Sequence, residues 1–179
     1  MSGQNGVVTI HSRHPFLPPE DDRSGVRRLL GRIAAPVTLW MARTESGVAG
    51  LTVSSMLVAD GEPGRLLGLL DPESDIYAAL VVSRVTAVSV LGWQHSALAD
   101  AFAGVAPAPG GAFRMGDWRE TDWGPVLSDT VGWAGCRLTE AKPRAVGWGM
   151  LVEMVAERVE VGEDTGSAMA YRRGRYVRL

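Results

Sequence analysis

Cysteine is nearly absent: Cys136 stands alone, so no disulfide can close within the chain and sulfur chemistry gives secretion no support. Histidine is almost as scarce, and His11, His14 and His95 with that one thiol make no metal-ligand spacing. No apolar run is long enough to cross a bilayer, and the polar N-terminal stretch lacks a signal-peptide core, so no membrane role and a cytoplasmic setting are the expectation. Neither sign of charge dominates, with 18 Lys and Arg against 20 Asp and Glu. The basic residues are scattered rather than striped, which is not the footprint of a nucleic-acid binder. No Gly-x-Gly-x-x-Gly follows a strand-like run, which leaves a Rossmann site unsupported and a doubly wound α/β chain the losing alternative.

What is abundant is glycine, 22 residues in 179, in a chain that is 46% hydrophobic. One domain of this length buries an adequate core unaided, and so many glycines suit tight turns between strands. Residues 1–22 read as an irregular arm, because His14-Pro15-Phe16-Leu17-Pro18-Pro19 forbids a helix and an acidic trio follows. From residue 23 onward the pattern is continuous, giving one domain over 23–179. Ser24 offers a cap to a short helix with Val26, Leu29, Leu30 and Ile33 at helical spacing. Strands are expected at 37–42, 48–58, 65–70, 85–91, 131–139, 145–161 and 169–177, with helices near 75–82 and 96–102. The Gly-, Pro- and Trp-rich segment 103–130 is a long loop, and loops of that length are more often functional than accidental. Strands joined by short turns, broken by a few helices and without βαβ alternation, predict a mainly β fold with short helices. The architecture expected is a closed antiparallel barrel, which removes sheet edges.

Two segments carry chemistry. Gly50-Leu51-Thr52-Val53-Ser54-Ser55 places three hydroxyls in four residues after a glycine, which suits the polar edge of a ring system or a phosphate, or else an ordinary half-exposed edge strand. Asp71-Pro72-Glu73-Ser74 sets Ser74 at a helix start, where free amides attract phosphate. Ser74 equally reads as a simple cap, and the acids beside it oppose an anion. Cys136, in an apolar strand, reads as a small buried hydrophobe. His95 reads as a surface or capping residue. Trp118 and Trp123 read as a lid or as loop anchors, and Arg114 as a phosphate partner or a solvated cation. Met150, Val152 and Met154 at period two face the core.

Taken in order, these segments resemble the flavin reductase family, whose fold is an FMN-binding split barrel. The match runs from about Arg23 to Leu179. It rests on Arg27-Arg28-Leu29-Leu30-Gly31 with Pro36-Val37-Thr38-Leu39, on Gly50-Leu51-Thr52-Val53-Ser54-Ser55, and on Asp71-Pro72-Glu73-Ser74. It continues through Val90-Leu91 with Phe102-Ala103-Gly104, Gly124-Pro125-Val126-Leu127 with Trp133-Ala134-Gly135-Cys136, and Tyr171-Arg172-Arg173-Gly174-Arg175-Tyr176. The resemblance implies a homodimer holding FMN or FAD near its interface. NADH or NADPH would donate hydride, and a partner monooxygenase would receive the reduced flavin. By position it places Thr52, Val53, Ser54 and Ser55 against the flavin ring and ribityl chain, Asp71 and Ser74 at the ribityl or phosphate end, and Phe102, Ala103 and Gly104 at the pocket wall.

The chain departs from the family pattern in two places. Gly147-Trp148-Gly149 stands where many members carry Gly-Asp-His, and Glu62-Pro63-Gly64-Arg65 replaces a Pro-Pro. Trp148 reads as an indole laid on the flavin or nicotinamide, or as a packed aromatic in the core or a dimer interface. Hydride transfer needs alignment more than a base, so an NAD(P)H:flavin oxidoreductase remains the first expectation. The alternatives are a non-catalytic flavin-binding or electron-transfer protein on the same scaffold, and a barrel that binds no flavin.

Overall fold

β-branched and apolar runs punctuated by Gly, Pro and Asp become strands, and the computed structural model, which describes residues 24–45, 47–163 and 168–179, carries thirteen of them. The expected arm over 1–22 lies outside the described residues. The Ser24 hydroxyl caps α1 (Gly25–Leu30) by accepting the Arg27 N–H at 3.2 Å. A two-residue β1 (Ala35–Pro36) precedes the hairpin of β2 (Thr38–Thr44) and β3 (Gly47–Val53). Next come β4 (Met56–Ala59) and β5 (Arg65–Leu70), α2 (Asp75–Ser83), β6 (Val85–Val90) and α3 (Ser96–Phe102). The long loop holds the short pair β7 (Trp118–Arg119) and β8 (Val126–Leu127). The last third supplies β9 (Gly132–Leu138), β10 (Arg144–Val146), β11 (Gly149–Val161), β12 (Met169–Arg172) and β13 (Arg175–Arg178).

One antiparallel sheet runs β3-β2-β6-β9-β11-β5-β4, with β10 on the flank of β11. It curls until its inner face meets itself. Three strands separate Trp40 on β2 from β5, yet a Cβ added to Gly68 of β5 would stand 2.5 Å from the Trp40 ring. Inside the curl Trp40, Leu66, Leu70, Val88, Cys136, Val152 and Met154 form the main core, and Ile76, Ala79 and Leu80 of α2 close it. The buried indole is satisfied: Trp40 Nε1–H donates to Thr38 Oγ1 at 3.0 Å, and that hydroxyl donates to the Val53 carbonyl at 2.7 Å. On the outer face, α3 and the long loop cover Leu39 and Met41 with Leu98, Ala99, Phe102 and Leu127.

The fold is thus mainly β with few short helices, and its hydrogen-bonded path is a strongly curled half-barrel; among the described residues no ladder joins β3 to β4 to close the expected ring. Three expected strands are each divided. Segment 48–58 breaks at Ser54-Ser55 because its halves serve opposite ends of the sheet, β3 on β2 and β4 on β5. Segment 145–161 turns back at Gly147-Trp148, with Gly147 at φ 57°. Segment 169–177 turns at Arg173-Gly174, both at positive φ, which makes a two-residue hairpin loop whose twist matches its strands. The apolar spacing of α1 does form a helix, but Val26, Leu29, Leu30 and Ile33 remain 77, 61, 57 and 54% exposed.

Candidate functional site

The junction between the two sheet edges gathers most of the expected residues. Along β3 the side chains alternate, so Gly50 and Thr52 face α3 while Val53 enters the main core. The Thr52 hydroxyl donates to the Ala99 carbonyl at 2.8 Å, fixing α3 on the strand. Gly50 lets Phe102 approach: a Cβ there would lie 2.7 Å from both the Phe102 ring and Met41 Sδ. Phe102 in turn makes edge contacts with Phe113 and Trp118, with ring centroids 5.1 and 5.9 Å away. Ala103 and Gly104 end α3 in the open, Gly104 at φ 69°.

Beyond β3 the chain crosses to the other edge. The Ser55 hydroxyl donates to the Leu69 carbonyl at 2.7 Å, and the Leu69 N–H donates to the Ser55 carbonyl at 3.0 Å. Gly149 packs on Leu69 and Leu70, with Trp148 beside it and 73% exposed at the hairpin tip. Leu70 leads into Asp71 and the start of α2. Ser54, half-buried between these groups, has a hydroxyl with no hydrogen-bond partner among the described residues. It is a free donor and acceptor at the mouth of the junction.

At the Ser74 turn the hydroxyl is engaged. It donates to the Asp71 carbonyl at 2.6 Å and accepts the Tyr77 N–H at 3.4 Å, the geometry of an N-cap. Asp71 Oδ1 accepts the Glu73 N–H at 2.9 Å. Asp71, Glu73 and Asp75 leave this end of α2 negative.

The residues named outside the junction resolve as follows. Trp118 is a loop anchor, with Nε1–H donating to the Phe113 carbonyl at 2.7 Å. Trp123 lies over Gly135 and donates to Glu157 at 2.7 Å. Arg114 folds over Gly110, its Cδ 3.0 Å from the position of a Cβ there. His95 is a capping residue, as one of its two readings had it, but a buried one: its Nδ1 accepts the Gly92 N–H at 3.0 Å and its Nε2 stands 3.1 Å from Asp129. Cys136 is buried, and burial with the Glu157 charge nearby pushes its thiol up to about 12. Val152 and Met154 are buried and Met150 half-buried, as their period-two spacing requires. Among the described residues no cluster of His, Cys, Asp and Glu could hold a metal ion.

Sequence reasoning missed the hairpin of β12 and β13. Its Met169 and Tyr176 pack with the cluster of Leu98, Ala99 and Phe102. Burial and the hydrogen-bonded Asp100 beside it hold the Tyr176 phenol well above its ordinary range. The Tyr-Arg-Arg-Gly-Arg-Tyr run marked the segment, but nothing in it showed that it would turn back on α3.

A mainly β chain whose antiparallel sheet curls into a half-barrel is the class the fold defines. A family model described as a flavin reductase like domain matches residues 30–179, and the chain belongs to that family. Over 138 residues it is 30% identical to an NADH-dependent FMN reductase of Variovorax paradoxus, covering 76% of each chain. It is 27% identical to the reductase component of a 4-nitrophenol 4-monooxygenase/4-nitrocatechol 2-monooxygenase from Rhodococcus opacus, covering 87% of this chain and 80% of that one. In fold it is similar to an NADH:FAD oxidoreductase of Streptomyces globisporus solved with NAD and FAD fragments. That likeness has a TM-score of 0.77 at 20% identity, over 91% of this chain and 96% of the other.

Proposed function

We propose that this protein is an NADH-dependent flavin reductase that binds FMN or FAD at the β3–β4 junction and supplies reduced flavin to a partner oxygenase. The family match and the FMN reductases among its relatives support the activity, and reductase components of two-component monooxygenases among them support the partner. The observation that carries the site is the unpartnered, half-buried Ser54 hydroxyl, set between the Thr52–Phe102 wall and the Leu69–Trp148 edge. A flavin fits this donor set: one free hydroxyl for a polar ring edge, backbone close on both sides, and aromatic walls. The flavin supplies the redox chemistry, accepting a hydride from the nicotinamide.

The chain's own residues position and enclose. Thr52 is engaged with α3, so its part is to hold the Phe102 wall at the pocket. Ser54 presents its hydroxyl to the ligand, Ser55 ties the junction to Leu69, and Val53 anchors the strand in the core beneath. Trp148, exposed at the tip of the β10–β11 hairpin, provides an aromatic face to the ligand. No proton-transfer residue is required, because hydride transfer depends on alignment. Asp71, Ser74, Ala103 and Gly104 border the same mouth. The curled sheet is read as the family's split barrel, with the gap between β3 and β4 as its opening. A homodimer follows from the family pattern and is supported by the exposed apolar side of α1.

The purified protein is expected to be yellow, or to show tryptophan quenching on addition of FMN, and to oxidise NADH only when flavin is present. Ser54→Ala should weaken flavin binding several-fold, the worth of one hydrogen bond of about 1 kcal/mol. Flavin binding without NADH oxidation would favour the non-catalytic flavin-binding reading. Absence of flavin binding would remove both.

A further inference from the structure

Arginines on the sheet and its loops are mostly neutralised: Arg43 pairs with Glu120, Arg65 with Glu153, Arg84 with Glu140, Arg137 with Glu157, and Arg119 and Arg158 with Glu160. One corner is different. The Ala35↔Tyr171 pairing of β1 with β12 brings the end of α1 against the β12–β13 hairpin. There the Arg173 N–H donates to the Gly31 carbonyl at 2.9 Å and Arg172 Nε donates to the Arg32 carbonyl at 3.2 Å. Arg28, Arg32, Arg172, Arg173 and Arg175 are all exposed, and among the described residues none pairs with a carboxylate. Segments 24–44 and 168–179 contain no acid at all.

This concentration of charge is unfavourable by itself. Arg172 stands directly opposite Arg175 across the ladder, a like-charge pair that repels. Arg173 takes φ 52°, a left-handed conformation that favours Gly or Asn. The corner also adjoins the site, since Met169 and Tyr176 of the hairpin pack in the α3 cluster that contains Phe102. The Ser74 turn, by contrast, has its hydroxyl engaged and Asp71, Glu73 and Asp75 around it, a setting that opposes an anion where the corner attracts one.

We infer that the α1/β12–β13 arginine corner, and not the Ser74 turn, holds the phosphate groups of the nucleotides that use this site. The inference rests on the flavin reductase reading. Planar guanidiniums take phosphate oxygens in pairs, and five of them on a solvent-facing edge suit the charged end of a nucleotide whose ring lies inward. Two sources share that chemistry, the phosphate of FMN and the diphosphate of the nicotinamide dinucleotide.

The test compares the full chain with Arg32→Gln/Arg175→Gln, two exposed side chains on different elements. Tryptophan fluorescence follows titration with FMN, riboflavin, NADH and reduced nicotinamide riboside. In the double variant FMN, NADH or both should bind about tenfold more weakly, as expected for lost hydrogen bonds to a charged group. The phosphate-free partner of whichever weakens should bind as before, and the urea midpoint should not fall, since Arg175→Gln relieves the repulsion from Arg172. The pair that responds identifies the source. Unchanged binding of both FMN and NADH, or equal weakening of the members of each pair, would overturn the inference. Wild-type protein that binds none of the four would instead remove the flavin reductase reading on which it stands.

Discussion

Single side chains decide how tightly the sheet can curl. Gly68 leaves the space that the Trp40 ring fills, and no rotamer adjustment of a buried indole opens room for a methyl group at 2.5 Å. Gly68→Ala should therefore destabilise the fold by about 1–3 kcal/mol, the usual cost of overpacking, read as a lowered urea midpoint. Cys136 offers the opposite case, a residue whose reactivity the fold suppresses. With its thiol pushed up to about 12 by burial and then by Glu157, almost no thiolate exists near neutral pH. A disulfide reagent at pH 8 should leave the native protein unlabelled and modify one thiol per chain once the fold is melted in denaturant. Rapid labelling of the native chain would contradict both the burial and the reading of Cys136 as a packing residue.

Elements show where the sequence was informative and where it was not. β5, α2, β6 and α3 fall within a residue or so of their expected bounds, because each is short, uniformly patterned and delimited by Gly, Pro, Asp or Ser. The segments that mislead are those where one apolar run serves two partners. Nothing in Val48–Val58 says that Val53 will pair across to Thr38 while Met56 pairs with Gly68, since ladder partners are a tertiary property. The same limit hid the turn at Trp148 and the arginine corner, whose members lie some 140 positions apart and meet through the β1–β12 pairing and the bonds of Arg172 and Arg173 to the end of α1. Of the site, the hydroxyl-rich strand was legible, but not which hydroxyl would stay free. Thr52 is committed to α3, Ser55 to Leu69 and Ser74 to its own helix, which leaves Ser54. The Thr52 bond links an element to the site, so its loss should act through α3. Thr52→Val removes one half-buried hydrogen bond and takes the Thr52 partner from the Ala99 carbonyl, and about 1 kcal/mol of stability should go with it. Amide exchange should quicken in α3 and not in α2.

At the scale of the whole molecule, the outer face of the sheet is held to its long loop by carboxylates. Glu160 accepts from the Trp133 indole and from Arg158 and Arg119, contacts that lower its carboxyl from an ordinary 4.5 to about 2. Glu157 is lowered likewise by Arg137 and the Trp123 indole. Arg119 and Trp123 belong to the loop, while Glu157 and Glu160 belong to β11, so these bonds fasten loop to sheet. A carboxyl with a lower pKa in the folded state than in the unfolded chain adds stability above its unfolded value. That contribution is lost as pH falls from about 4.5 through about 2. The urea midpoint should accordingly fall modestly across this window, as solvent-screened contacts allow, and Glu160→Gln should start lower at neutral pH and fall less over the same range. Both curves should draw together near pH 2, where the native carboxyl takes up its proton. Both glutamates are solvent-accessible, so added salt should shrink the difference between the two proteins at neutral pH. The same loop carries Phe113 and Trp118 against Phe102, at the wall of the site. Loosening it by acid should therefore weaken flavin binding within the window in which stability falls, and Glu160→Gln should show that weakness already at neutral pH. Flavin binding that held constant while the midpoint fell would separate the outer network from the site.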